Sequence, residues 1–259
     1  MNYREHAPSE ALRRFISCYW TLRAPLGSAL NRVLPDGCVD LLFDLGARSL
    51  EGSSGASFIG PMTRALTLEL PRGVDLLGVR FRPGGGSAFL ATGLASLRDA
   101  SPPLDDLWGA RQGSLLAERL AETDHETERL RLVDRELLER LAFARAPHPK
   151  VRAAVEALRR APAGASIAGL SVRLGLGERQ LQRLFLEHVG VGPTFFRRVM
   201  RLQTIVGALP EAAEQGWARL ALDLGYADQA HLIRDVRALS GLSPTALGRE
   251  RAMTAASPP

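Results

Sequence analysis

Two stretches of this 259-residue chain repeat one another. LSVRLGLGERQLQRLFLEHVGVGPT begins at Leu170, and LALDLGYADQAHLIRDVRALSGLSPT begins at Leu220. Leu174 and Gly175 pair with Leu224 and Gly225 at a shift of 50. Leu181, Arg183, Gly190, Pro193 and Thr194 pair with Leu232, Arg234, Gly241, Pro244 and Thr245 at a shift of 51, so one residue is inserted near the second turn. A repeat confines the fold, because both copies must satisfy the same local structure.

That structure is helix, tight turn, helix. In the first copy Ile167, Leu170 and Leu174 recur at helical spacing, and Gly175 supplies the left-handed residue of a sharp turn. A second helix follows with Leu181, Leu184, Phe185 and Val189 as its apolar stripe, and Gly190 and Pro193 end it. In the second copy Leu220, Ala221 and Leu224 make the first helix, Gly225 the turn, and Asp228 is placed to cap the next helix. The opposite faces carry Arg179, Gln182, Arg183 and Glu187 in one copy, and Gln229, His231, Arg234 and Arg237 in the other.

Two short helices joined by such a turn form the unit whose second helix enters the major groove of DNA. Arginine can donate bidentately to guanine and glutamine can pair with adenine. For one isolated helix, a solvated charged face is the plainer reading. Two ordered copies with a linker between them reverse that preference. The linker, TFFRRVMRLQTIVGAL, reads as one amphipathic helix over residues 194–209. At 1.5 Å per residue it spans roughly 24 Å, which with its flanking turns suits two reading helices roughly 34 Å apart, one turn of DNA. Arg197, Arg198 and Arg201 on the linker, with Arg237, are then candidates for the phosphates between the grooves.

Charge agrees with this placement. Residues 1–146 hold 18 arginines against 19 acids, whereas residues 147–259 hold 15 basic side chains against 9 acids, so the net charge of +5 is carried by the C-terminal part. APHPK, residues 146–150, marks the boundary, because its two prolines resist helix. Before it, VDLLFDL (39–45), ALTLEL (65–70) and DLLGVRF (75–81) read as strands, and residues 114–144 read as amphipathic helices. The fold class expected is α+β: a β-rich N-terminal domain with trailing helices, then an all-α domain with two helix-turn-helix units joined by a linker helix. The expected boundaries are 1–146 for the N-terminal domain, 150–252 for the DNA-binding domain and 253–259 for a disordered tail.

The motifs I-A-x-L (167–170), R-x-L-Q-R-L-F (179–185), V-G-V-x-P (189–193), R-L-Q (201–203), L-G-Y-x-D-Q-x-H (224–231) and G-L-S-P (241–244) together resemble the AraC family of bacterial transcription regulators. The resemblance covers about residues 150–250 and implies a seven-helix DNA-binding domain. It implies base-reading positions at Arg179, Gln182 and Arg183 in the first recognition helix. In the second it implies Gln229, Ala230 and Arg234, with His231 nearby. The sequence departs from the family at Gly177 and Ala230, where serines are common, and at Leu232 and Val236, where phenylalanines are usual. The stretches F-I-S-C-Y-W (15–20), L-P-D-G-C-V-D-L-L-F-D-L (34–45), G-V-R-F-R-P-G-G (78–85) and P-L-D-D-L-W-G (103–109) resemble, less closely, an uncharacterised domain fused before such modules. That resemblance implies a cupin-like barrel with a sensing or regulatory role and fixes no ligand.

Other chemistry is poorly supplied. The histidines are His6, His125, His148, His188 and His231, so residues 7–124 hold none for a metal site, and no cofactor is expected. Asp40 with Asp44, or Asp105 with Asp106, lack a partner base or nucleophile, so no catalytic residue is assigned and no enzyme is expected. Pro35-Asp36-Gly37-Cys38 reads as a hairpin turn before a reactive thiol, and Arg82-Pro83-Gly84-Gly85-Gly86 as a strand-ending turn before a phosphate cradle. Trp20 and Trp108 read as core before effector pocket. Leu130, Val133, Leu137, Leu138 and Leu141 suit either a dimer seam or a cover over the barrel. Two cysteines, Cys18 and Cys38, and the lack of an apolar run near ~18 residues fit a reduced, cytoplasmic protein without a membrane span. The expected partner is double-stranded DNA. RNA polymerase, a small-molecule effector and a homodimer stay open. The rival readings are a small-molecule-processing N-terminal domain tethered to DNA, and a protein that binds DNA without sequence preference.

Overall fold

Alternation along the chain decides the N-terminal half. In β4 (Val39–Asp44) and β5 (Ala56–Ile59) every second residue is buried, the period of a strand with one face on a core. With β1 (Asn2–His6), β2 (Ile16–Ala24) and β7 (Val74–Phe81) they form an antiparallel sheet in the order β1-β2-β7-β4-β5. A separate ribbon pairs β3 (Asn31–Val33) with β6 (Leu66–Leu68). The computed structural model describes residues 2–24, 31–46, 55–68, 74–144, 147–164, 166–210 and 216–256. Among these, no strand pairing joins the sheet to the ribbon, so the expected barrel takes the form of a five-stranded sheet beside a ribbon.

One sheet face presents Leu41, Phe43, Phe58, Leu77, Val79 and Phe81 to the core. Helices α1 (Leu104–Trp108), α2 (Gln112–Ala121) and α3 (Glu126–Leu141) cover it. Val133 and Leu137 are fully buried there, Leu130 and Leu141 pack at the edge, and Leu138 is partly exposed. Covering the sheet is thus what this stripe does. Trp108 is in the same core, its indole N–H donating to the Phe89 carbonyl at 3.1 Å with the Arg140 guanidinium 3.6 Å over its ring. Asp105 accepts the Gly113 and Ser114 amides at 2.6 and 3.0 Å, which holds the start of α2. The Ser114 hydroxyl donates to the same carboxyl group, and these donors hold its pKa below the ordinary value.

The turns follow their sequence signals. Asp36 accepts the Cys38 amide at 2.8 Å and Gly37 is left-handed at φ 79°, a tight turn leading into β4. The glycines after β7 serve close approach: a Cβ on Gly85 would lie 2.2 Å from the Phe15 carbonyl oxygen. Cys18 and Cys38 are free thiols, and burial pushes Cys18 up to about 11 and Cys38 well above its ordinary value. Neither is poised as a thiolate.

The described residues of the C-terminal half form helices α4 (Pro149–Arg160), α5 (Ile167–Arg173), α6 (Glu178–His188), α7 (Pro193–Gly207), α8 (Trp217–Asp223), α9 (Gln229–Ser240) and α10 (Pro244–Ala256). His148 caps α4 and Pro149 opens it, so the helical domain starts at the proline pair. Ala146, the expected end of the first domain, lies outside the described residues. At the other end α10 runs on to Ala256, so most of the tail expected to be disordered is helix; residues 257–259 lie outside the described residues. No described helix is long and apolar enough to cross a membrane.

The outer sheet face holds a half-buried carboxylate. Asp40 accepts from Trp20 Nε1 at 2.9 Å and from Arg80 Nε at 3.3 Å. Burial still pushes its pKa from 3.8 to about 6, against the pull of both donors. The folded state therefore binds the proton more tightly than the unfolded chain. Stability from this group is greatest below the unfolded value and falls as pH rises through the folded one. In urea titrations the stability of the wild type relative to Asp40→Asn should decline between about pH 4 and pH 6, by about 3 kcal/mol at most, and level off above. A difference that is flat across that window contradicts the assignment.

Candidate nucleic-acid interface

The two copies fold alike down to their backbone hydrogen bonds. In the first, the Gly175 amide donates to Val172 O at 3.0 Å and the Leu176 amide to Ser171 O at 3.0 Å. In the second, Gly225 donates to Leu222 O at 2.9 Å and Tyr226 to Ala221 O at 2.9 Å. Both glycines are left-handed, at φ 58° and 71°. This bond pair closes a helix and turns the chain sharply into the next one. Ser171 and Ala221, at equivalent positions, are both buried beneath the turn.

The recognition helices α6 and α9 each bury one stripe. Leu181, Leu184 and Phe185 enter one core, and Leu232, Val236 and Leu239 enter another. Leu232 and Val236, which stand where phenylalanines are usual in the AraC family, are at most 1% exposed, so the aliphatic pair fills its site. The two helices start differently. Gly177 offers α6 no side-chain cap, whereas Asp228 caps α9 by accepting the His231 amide at 2.6 Å.

Arg179, Gln182 and Arg183 are all exposed on α6, and Gln229, Ala230, His231, Arg234 and Arg237 are all exposed on α9. The Gln182 amide lies over Gly192, where a Cβ would come within 2.6 Å of it. The His231 ring meets Tyr226 edge-on, with centroids 5.1 Å apart. Each face thus gathers donors and acceptors of the type that read base edges.

The linker arginines require a correction. Arg201 is only 8% exposed. Its Nε donates to the Pro162 carbonyl at 3.2 Å, and its guanidinium lies 5.0 Å from the Tyr226 ring centroid. Its contacts lie inside the domain, which they help to hold together. Arg198 donates from Nε to Asp235 at 2.7 Å, while the Tyr226 hydroxyl donates to the other Asp235 oxygen at 2.9 Å. Its charge is spent on a carboxylate that is 7% exposed. Arg197 is partly buried, which lowers its pKa, helped by the charge of Arg201. Of the four arginines assigned to phosphates, Arg237 is the fully exposed one.

The roles of Asp235 and Tyr226 were not read from the sequence. Their signal is an acid set between the buried Leu232 and Val236, and an aromatic directly after the turn glycine. Together with Arg198 they tie the linker helix to the second recognition helix.

Comparison with known proteins agrees with this division. Residues 170–250 match a family model described as a helix-turn-helix domain, and residues 4–103 match a domain of unknown function (DUF6597). No curated protein matches the chain. The fold is similar to solved structures of ToxT from Vibrio cholerae. One such structure is 9% identical, with 96% of this chain and 97% of that chain covered at a TM-score of 0.44. A second, bound to (E)-4-(8-methylnaphthalen-1-yl)but-3-enoic acid, is 10% identical over 96% and 99%, with a TM-score of 0.47. A third, described as bound to an unsaturated fatty acid, is 12% identical over 89% and 93%, with a TM-score of 0.42.

Replacing Arg198 by alanine leaves Asp235 buried with Tyr226 as its remaining named donor. The expected cost is about 1–3 kcal/mol of stability, the penalty for a buried acceptor that loses a charged partner. Urea denaturation of the full chain reads this directly. An unchanged midpoint would return Arg198 to the phosphate set.

Proposed function

We propose that this chain, whose residues 170–250 form an AraC-type helix-turn-helix domain, is a transcription regulator that reads a specific DNA site through both recognition helices at once. The observation that carries the reading is the paired geometry. Two units with matching turns flank one continuous helix, α7, and both expose an Arg/Gln-bearing face. At about 1.5 Å per residue the 15 residues of α7 span roughly 22 Å. The adjoining turns add the remainder needed for two successive major grooves.

The roles divide by chemistry. Arg179, Gln182 and Arg183 read one half of the site, and Gln229, Ala230, His231 and Arg234 the other. Arg237, with Arg197, supplies sequence-independent attraction to phosphates. The N-terminal domain regulates this activity and does no chemistry of its own. Asp105 serves as a helix cap, and Asp40 is held by Trp20 and Arg80.

Competition binding at physiological salt tests the assignment. Arg183→Ala should cost about 1–3 kcal/mol on the cognate site and relax discrimination at one base pair. Arg237→Ala should weaken all duplexes alike and reduce the slope of log affinity against log salt by about one. Equal losses on cognate and scrambled DNA for Arg183→Ala would make the protein a non-specific DNA binder.

A further inference from the structure

The N-terminal domain touches both copies of the repeat, and it does so around the turn that follows each recognition helix. Two residues past the end of α6 lies Gly190, whose carbonyl accepts from Arg98 Nε at 3.3 Å and Nη2 at 3.2 Å. The equivalent residue one repeat later is Gly241. There the carbonyl just before it, on Ser240, accepts from Arg32 Nη1 at 3.1 Å. Both glycines are left-handed, at φ 84° and 78°. A guanidinium from the N-terminal domain thus bonds the last residue of α9 and the turn just after α6, the favourable sign of charge near a helix C-terminus.

Further contacts reinforce both points. Around the first turn, a Cβ on Gly190 would lie 2.3 Å from Pro61 and 2.9 Å from the Leu94 carbonyl oxygen, and Ser87 Oγ is 3.2 Å from His188 Nδ1. Around the second, the Ala65 amide donates to Leu239 O at 2.8 Å. Arg32 also grips the Glu250 carboxylate with Nε at 2.8 Å and Nη2 at 3.2 Å. Leu34 packs against the second core. Midway, the Gln203 amide donates to Pro35 O at 2.6 Å. Arg32 sits on the β3–β6 ribbon, and Arg98 follows a 3₁₀ turn over Leu94–Leu97.

The two units need such support, because they have separate cores joined through α7. Helix α7 fixes a length, and the bonds of Arg198 and Arg201 run to Asp235, Pro162 and Tyr226 and not to α6, so they leave the angle of the first recognition helix to other contacts. We propose that Arg32 and Arg98 are positioning residues, which set the distance and angle between the two recognition helices. The N-terminal domain is thereby a ruler for the spacing of the two half-elements that the protein accepts. This rests on the two-groove reading above, and its test is chosen to stand apart from it.

The direct test needs no DNA. Unnatural-amino-acid spin labels at Arg173 and Asp223, exposed positions on the first helix of each copy, report the separation of the two units in the full chain. One narrow distance is expected for the wild type and a broadened distribution for Arg32→Ala/Arg98→Ala. Arg32→Lys/Arg98→Lys, which keeps a charged donor at each carbonyl, should restore a narrow distribution. Equal widths in the wild type and the folded alanine variant overturn the proposal, whatever the protein does with DNA. On operators whose half-elements are moved apart by one base pair, the wild type should lose about tenfold in affinity, comparable to one lost base contact. The alanine variant should bind both spacings alike while still rejecting scrambled sequence. If it keeps the wild-type spacing preference, α7 alone is the ruler. Failure of every duplex to bind specifically would overturn the two-groove reading and leave the label result to decide this one.

Discussion

Helix α7 belongs to two cores at once, and the C-terminal half depends on that sharing. Phe196, Val199 and Met200 pack into the first unit, and Leu202 and Ile205 into the second. The residues of an amphipathic helix point to one side within a turn or two, but over 15 residues the apolar stripe serves two clusters in succession. A break in α7 would split the helix that both cores share and remove the length it fixes between the two recognition helices. The same constraint explains why the linker arginines were spent on structure. A helix buried on this scale cannot leave all its cations in water, and Arg201 and Arg198 found partners inside the fold.

The buried polar group that results is a small network. Asp235 joins Arg198 of the linker helix to Tyr226 of the second turn, and the Tyr226 ring carries His231 on its edge. The directional bonds add a preferred angle between α7 and α9, which bulk hydrophobic packing alone does not supply. The first unit has no counterpart at the matching positions: Leu176 stands in place of Tyr226, and Leu184 in place of Asp235. The two copies share their turns and differ in how their recognition helices are fastened.

Much of this was legible in the sequence because it is local. The glycine turns, the Asp228 cap and the stripes around Leu181 and Leu232 are set by residues within a few positions of each other. Strands β4 and β7 were legible from their alternating or continuous apolar residues. Strand β1 was not, since NYREH is an edge strand with four of its five residues exposed and no apolar period to reveal it. Burial of Arg201 was also hidden. On the sequence it lies one helical turn from Arg197 and Arg198 and has the same chemistry. What separates it is contact with Pro162 and Tyr226, which are distant along the chain. The docking of Arg32 and Arg98 onto the repeat was equally out of view, because it joins residues separated by 208 and 92 positions.

On the proposed function, one chain places two recognition helices in successive major grooves. Footprinting on DNA upstream of its own and neighbouring genes, at known protein-to-site stoichiometry and with excess competitor, tests it most directly. The account predicts protection of two patches about one helical turn apart for each bound monomer. Protection of a single groove per monomer, or protection that ignores sequence and disappears with modest salt, would contradict it.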